Sequence, residues 1–390
     1  HMIELHKLIL FFFLYFFKKI ITPKNIIIFS SNAPNRYGGG PKFLFEYLSK
    51  KNFQTYWWTS DRKIQDHLIK KKLRFFSISN PLKLLKVVFT AKIVINSGDD
   101  HYDFCNLLKN DSRVVKICVG HGMGPKLINK KKNHPLQINF DYLSYSSLYT
   151  SKNIAQNQFK INKDKIKILG NPKNDLFFDK KKIKDIYQSK KISNFYIKNL
   201  IKKSKIIFYA PTWRPYKFNL PLLNLNKFDL KNFDYFLKKN DFYFFYNSHL
   251  QSGIYNKINT DRIKFISTKT YSLFDTNEML CECDIFLTDC STLSTEAAIL
   301  KKPQILIFPD FKKYNNVHGF IEPFKDIIPG KVVYNFDDLL NLMYSYKNKK
   351  NYTKKFNEKI KKYLGHYYDT KINNSAFRHE NFIKKLINFK

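Results

Sequence analysis

The sequence predicts an α/β protein built as two doubly wound parallel-sheet domains facing a central cleft. Three observations carry that expectation. The chain has 390 residues, more than one hydrophobic core usually encloses. From residue 25 onward, short β-rich apolar runs alternate with amphipathic stretches, the rhythm of strands joined by crossover helices. The same rhythm restarts near residue 205, after a Lys-rich interval without turn signals.

Taken in order, the segment 8–17 reads LILFFFLYFF between Lys7 and the pair Lys18 and Lys19. Ten residues are too few to span a bilayer as a helix, which takes about 20. Residues 1–24 are therefore expected to form either a helix lying in the membrane interface with lysines at the headgroups, or a buried first helix. Residues 25–178 form the first domain, with strands over 26–29, 54–58, 93–95 and 114–119. Between them lie helices over 41–50, 61–71 and 81–90, the first and third opened by proline. Residues 179–204 are linker helices. Residues 205–350 form the second domain, where IIFYA, FYFFYNS, IKFIS, DIFLTD and QILIFP are the strands. Residues 351–390, with FNEKIKKYL and HENFIKKLI at helical spacing, are terminal helices packing across the domain junction.

Composition narrows the partners. Hydrophobic residues make up 44% of the chain and aromatics 17%, enough for large cores. The net charge is +38, with only 31 acidic residues, which calls for an anionic partner such as phospholipid or a polyphosphate polymer. No nucleic-acid-binding module is present and the lysines are spread along the chain, so no nucleic-acid partner is expected. Five cysteines at irregular spacing favour a reducing, cytoplasmic compartment, and Cys281 and Cys283 lack a second pair for zinc.

In open parallel sheets, ligands bind outside the carboxyl ends of the strands. Those positions here carry His121 after KICVG, Thr212 and Arg214 after IIFYA, and His249 after FYFFY. Asp289, Ser291 and Thr292 follow IFLT. The start of the helix after Asp289 offers backbone N–H groups to a pyrophosphate. Glu296, about one turn on, can accept two ribose hydroxyls. No acidic pair at metal-ligand spacing accompanies them, so neither metal nor cofactor is expected.

The motifs together resemble the CDP-glycerol glycerophosphotransferase family, which builds teichoic acids and related capsular polymers on the two-domain GT-B fold. RYGGGPKFLFEYL (36–48), HGMGPK (121–126), LGNPKNDLFF (169–178), YAPTWR (209–214), LTDCSTLSTE (287–296) and HGFIEPF with IIPGKVV (318–333) occur in the family's order. HGMGPK has Met123-Gly124 where the family has a single Thr, and His318 stands where it has Arg.

The resemblance implies that Arg214, Thr212, Asp289, Ser291, Thr292 and Glu296 bind a CDP-linked donor, CDP-glycerol or CDP-ribitol. It implies that His121 and His249 are catalytic. His121 suits a general base, because imidazole titrates near neutrality, and His249 with Arg214 suits a phosphate clamp or general acid. Gly122, Lys126, Pro41 and Lys42 fall on the acceptor side, and His318 is a candidate phosphate contact. The implied reaction transfers a polyol phosphate to a cell-surface polymer or its lipid-linked precursor, releasing CMP, at the inner face of the membrane. The alternative is a GT-B glycosyltransferase using a CMP- or UDP-sugar.

Overall fold

The structure is a computed structural model that describes residues 21–31, 36–98, 108, 111–120, 124–127, 140–192, 204–212, 214, 225, 227–247, 258–266, 273–368 and 373–388. The apolar segment 8–17, the candidates His121, Gly122 and His249, and most of the linker's second half lie outside these residues.

Two parallel sheets form two α/β domains. The first has the order β3-β2-β1-β4-β5-β6-β7, and the second β10-β9-β8-β11-β12-β13. The first is made of Ile26–Phe29 (β1), Gln54–Trp58 (β2), Phe75–Phe76 (β3), Ala91–Asn96 (β4), Val115–Cys118 (β5), Tyr142–Ser144 (β6) and Ile166–Lys167 (β7). The second is made of Lys205–Tyr209 (β8), Phe242–Asn247 (β9), Ile263–Ile266 (β10), Ile285–Thr288 (β11), Gln304–Ile307 (β12) and Lys331–Val333 (β13). Every registered strand pair is parallel, and β1, β11 and β12 along their whole length, and β8 beyond Lys205, are buried, as strands covered on both faces must be. In each sheet the order reverses beside the first strand, at β1/β4 and at β8/β11. Those switch points are where such sheets open a crevice.

Local chemistry sets the helix starts. Asp61, Asn80, Asp229 and Asp275 each cap a helix by accepting a backbone N–H from its first turn. The helix Gly39–Leu48 starts two residues before Pro41, which sits inside its first turn where a missing N–H costs nothing. Gly330, in the Pro-Gly pair, lets β13 close on β12: a Cβ there would meet the Gln304 carbonyl oxygen at 2.5 Å.

The terminal helices divide between the domains. Lys349–Tyr367 contributes Tyr352, Phe356, Ile360, Tyr363 and Tyr367 to the second domain's core. Ser375–Asn388 crosses back and places Ala376 and Ile383 in the core under β1 and β4. There Asp175 receives the Ser375 and Ala376 backbone N–H groups at 2.7 Å each, and Tyr47 donates to Glu380 at 2.7 Å.

Candidate functional site

The site lies where the carboxyl edges of the two sheets face each other. On the second domain, the loops after β8, β11 and β12 are bolted together by one side chain. Arg214 donates through Nη1 to Asp289 Oδ2 at 2.7 Å and to the Thr212 carbonyl at 2.7 Å. Through Nε and Nη2 it grips both oxygens of Asp310, at 2.6 and 2.8 Å. Its guanidinium also lies over the rings of Tyr314 and Phe308. Burial alone would lower the pKa of Arg214, but the Asp289 and Asp310 carboxylates hold it above its ordinary value. Asp289 in turn receives the Thr212 backbone N–H, the Thr212 hydroxyl at 2.6 Å and the Cys290 backbone N–H at 2.6 Å. Thr212, Arg214 and Asp289 are thus brought together as one buried network that shapes the crevice wall.

Ser291 and Thr292 follow at the crevice surface, half-buried. The helix they open, Leu293–Ile299, is only seven residues long. Its first N–H groups are used internally: Leu293 N–H goes to Ser291 Oγ, Ser294 N–H to the Ser291 carbonyl and Thr295 N–H to the Thr292 carbonyl. The N–H groups of Leu293, Ser294 and Thr295, expected to be bare for an anion, are thus already committed.

Glu296 lies one turn further on and is 1% exposed. Its Oε1 is 2.8 Å from the Lys173 ammonium, which comes from the other domain. Its Oε2 is buried without a hydrogen-bond partner among the described residues.

His318 is buried, with its ring stacked on Tyr314 at 4.6 Å between centroids. Neither ring nitrogen has a hydrogen-bond partner among the described residues. Burial, with the charges of Lys126 and Arg214, pushes its pKa down to about 4, so the imidazole is neutral at physiological pH. Lys126 arrives from the first domain on the HGMGPK segment. That segment pairs with the His318 segment as a short antiparallel bridge, Lys126 opposite Phe320. The Ile321 N–H bonds to the Pro125 carbonyl at 2.8 Å and the Leu127 N–H to the Gly319 carbonyl at 3.0 Å. Gly124 presses against Thr292: a Cβ there would stand 3.5 Å from the Thr292 Cα.

Lys42 is brought to the junction but not left open. It is buried and paired with Asp275 at 3.2 Å and Glu278 at 3.1 Å, both on the second domain. Burial works against its charge and the two carboxylates more than restore it, so its pKa stands above the usual lysine value. Pro41 is buried beside it. In this arrangement Lys42 acts as a strut between domains. The four described cysteines are buried thiols; Cys281, Cys283 and Cys290 are pushed up to about 12 by burial, which makes them inert. Among the described residues no group of three or more His, Cys, Asp or Glu could hold a metal, and no helix is long and apolar enough to cross a membrane.

Sequence reasoning missed Asp310 and Lys173. Asp310 lies three residues past β12, at the start of the next helix, so a slightly wider form of the rule that picked out Asp289 would have found it. Lys173 sits inside LGNPKNDLFF, a motif used only as a landmark, and nothing local marks its reach to Glu296.

Two doubly wound parallel-sheet domains, in contact through Lys173–Glu296 and the Lys126–Phe320 bridge, define a GT-B-like fold. The chain belongs to the CDP-glycerol:poly(glycerophosphate) glycerophosphotransferase family, whose model matches residues 10–378. It is 29% identical over 283 residues to the teichoic acid glycerol-phosphate primase of Bacillus subtilis (strain 168), covering 67% of this chain and 68% of that protein. It is 26% identical over 364 residues to the teichoic acid poly(glycerol phosphate) polymerase of Bacillus spizizenii, covering 85% and 86%. Among solved structures, the wall teichoic acid polymerase TagF superposes with a TM-score of 0.71 at 21% identity, covering 95% of this chain and 90% of that one. The chain is accordingly an enzyme of the glycerophosphotransferase type, related to teichoic acid transferases and polymerases of both glycerol and ribitol phosphate.

Proposed function

We propose that the protein transfers a polyol phosphate, glycerol phosphate in the first instance, from a CDP-linked donor to a hydroxyl of a cell-surface polymer or its lipid-linked precursor, releasing CMP. The observation that supports this best is His318. A buried imidazole whose two nitrogens have no partner among the described residues, under the charges of Lys126 and Arg214, is costly unless a ligand completes it. A diphosphate supplies the missing acceptors, and its charge would favour protonating the ring.

In this reading the acceptor O–H attacks the donor phosphorus next to the polyol. The new P–O bond forms as the P–O bond to CMP breaks, and CMP leaves with the electron pair. His121 takes the acceptor proton, and His249 assists the departing phosphate. Arg214 serves the donor half as the post that fixes the loops, because its guanidinium is already committed to Asp289 and Asp310. Lys126 and His318 meet the phosphates, Ser291 and Thr292 offer hydroxyls, and Glu296 takes the ribose. Positively charged side chains thereby do what a metal does in other phosphoryl-transfer sites. The family relationship and a TagF variant soaked with CDPG, which superposes at a TM-score of 0.72 with 20% identity over 94% of this chain and 90% of that one, are consistent with the donor.

A thermal-shift panel of CDP-glycerol, CDP-ribitol, CDP, CMP-sugars and UDP-sugars tests the donor. Stabilisation by the CDP ligands is expected, and a preference for a sugar nucleotide would overturn the reading. The excess of lysine and the segment 8–17 support work at an anionic membrane surface. Removing residues 3–19 should lower binding to anionic vesicles without changing CDP affinity.

A further inference from the structure

Lys173 belongs to the first domain, on the 3₁₀ segment Pro172–Phe178 just beyond β7. It is 4% exposed, yet its ammonium ends in the second domain, 2.8 Å from Glu296 Oε1. The contact leaves the carboxylate half-satisfied. A carboxylate has about four acceptor positions, whereas Oε2 here is buried and bare among the described residues. A buried oxygen left so costs stability unless something arrives to donate to it. The partly accessible Ser291-Thr292 turn lies just upstream on the same helix, so that something comes from the crevice.

Lys173 is itself held in place. Asn171 Oδ1 accepts the Lys173 backbone N–H, and Asn171 Nδ2 donates to the Gly120 carbonyl, the residue before His121. Gly40 closes over the same asparagine so tightly that a Cβ would stand 2.6 Å from Asn171 Oδ1. The turn 171–173 therefore touches the end of β5 with one residue and the donor domain with another.

We propose that Lys173 is a positioning residue for nucleoside recognition. By fixing Glu296 Oε1 from across the junction, it orients Oε2 to accept the hydroxyl pair of the donor's ribose. Ribose recognition then belongs to the assembled pair of domains rather than to the donor domain alone. The inference rests on the CDP-donor reading.

The discriminating measurement is the affinity ratio of CDP to 2′,3′-dideoxy-CDP, by calorimetry, in the full chain and in Lys173→Met, Lys173→Arg and Glu296→Gln. The full chain should favour CDP by about tenfold or more, the range of a hydrogen bond to a charged group. Glu296→Gln and Lys173→Met should both bring the ratio to about threefold or less, while Lys173→Arg keeps it. A mere strut between domains would weaken both ligands alike and leave the ratio untouched, which overturns the proposal. Equal affinity of the full chain for the two ligands overturns it as well, while sparing the CDP donor. Absence of CDP binding in every variant instead refutes the donor reading. A Lys173→Met protein that fails to fold leaves the decision to Lys173→Arg and Glu296→Gln: retention by the first with loss by the second supports the proposal, and loss by neither overturns it.

Discussion

Replacing Arg214 with Ala should be the most damaging single change in the second domain. The guanidinium carries two carboxylates on different loops and is itself buried, so removing it unpairs two charges at once. Breaking one buried pair from one side costs about 3–5 kcal/mol. Asp289 keeps three other donors, from Thr212 and Cys290, whereas Asp310 loses both of its bonds to the guanidinium. The loss should therefore lie near one full pair rather than two. Amide hydrogen exchange in β8 and β11 reads it directly, as a fall in protection of roughly two to four orders of magnitude. A protection loss below about tenfold would show that the loops are held by something else.

Three further outcomes are expected. His121→Ala should abolish CMP release while CDP affinity stays within about twofold; retained turnover would remove the general-base role. His318 has a folded pKa of about 4 against an ordinary 6.5, so the unfolded chain binds the extra proton. Stability should fall as pH drops from about 6.5 to 4, by up to roughly 3 kcal/mol; a His318→Gln variant that kept the same slope in urea titrations would refute the assignment. Gly40→Ala should cost about 1–3 kcal/mol by overpacking against Asn171 and lower turnover more than CDP affinity. Adding Asn171→Ser to that variant should restore stability, and a failure to do so would place the clash elsewhere.

The strands that the sequence announced were the long apolar runs, because burial on both faces leaves a continuous signal in residues such as Ile26–Phe29 and Ile285–Thr288. The short strands Phe75–Phe76, Ile166–Lys167 and Lys331–Val333 passed unread: two or three residues make no pattern, and long-range register decides them. Site residues at strand ends were legible for the same topological reason. Their partners were not. Lys42 reads as a cation available to substrate until Asp275 and Glu278 are seen against it, more than 200 positions later in the chain. Arg214 likewise reads as a phosphate clamp until the fold sets Asp310 beside it. Ion pairing across a junction leaves no local trace in composition or spacing.

The return of the helix Ser375–Asn388 to the first domain has a consequence for biosynthesis. The face of the first sheet that carries Ile27, Phe29, Ile93 and Ile95 is completed by Ala376 and Ile383. Residues 205–367, which hold the second domain's core, are therefore synthesised before Ala376 and Ile383 can complete that face. Until that helix is made, the nascent first domain lacks one layer of the packing over these strands, and a truncation before Ala376 would leave that layer missing for good.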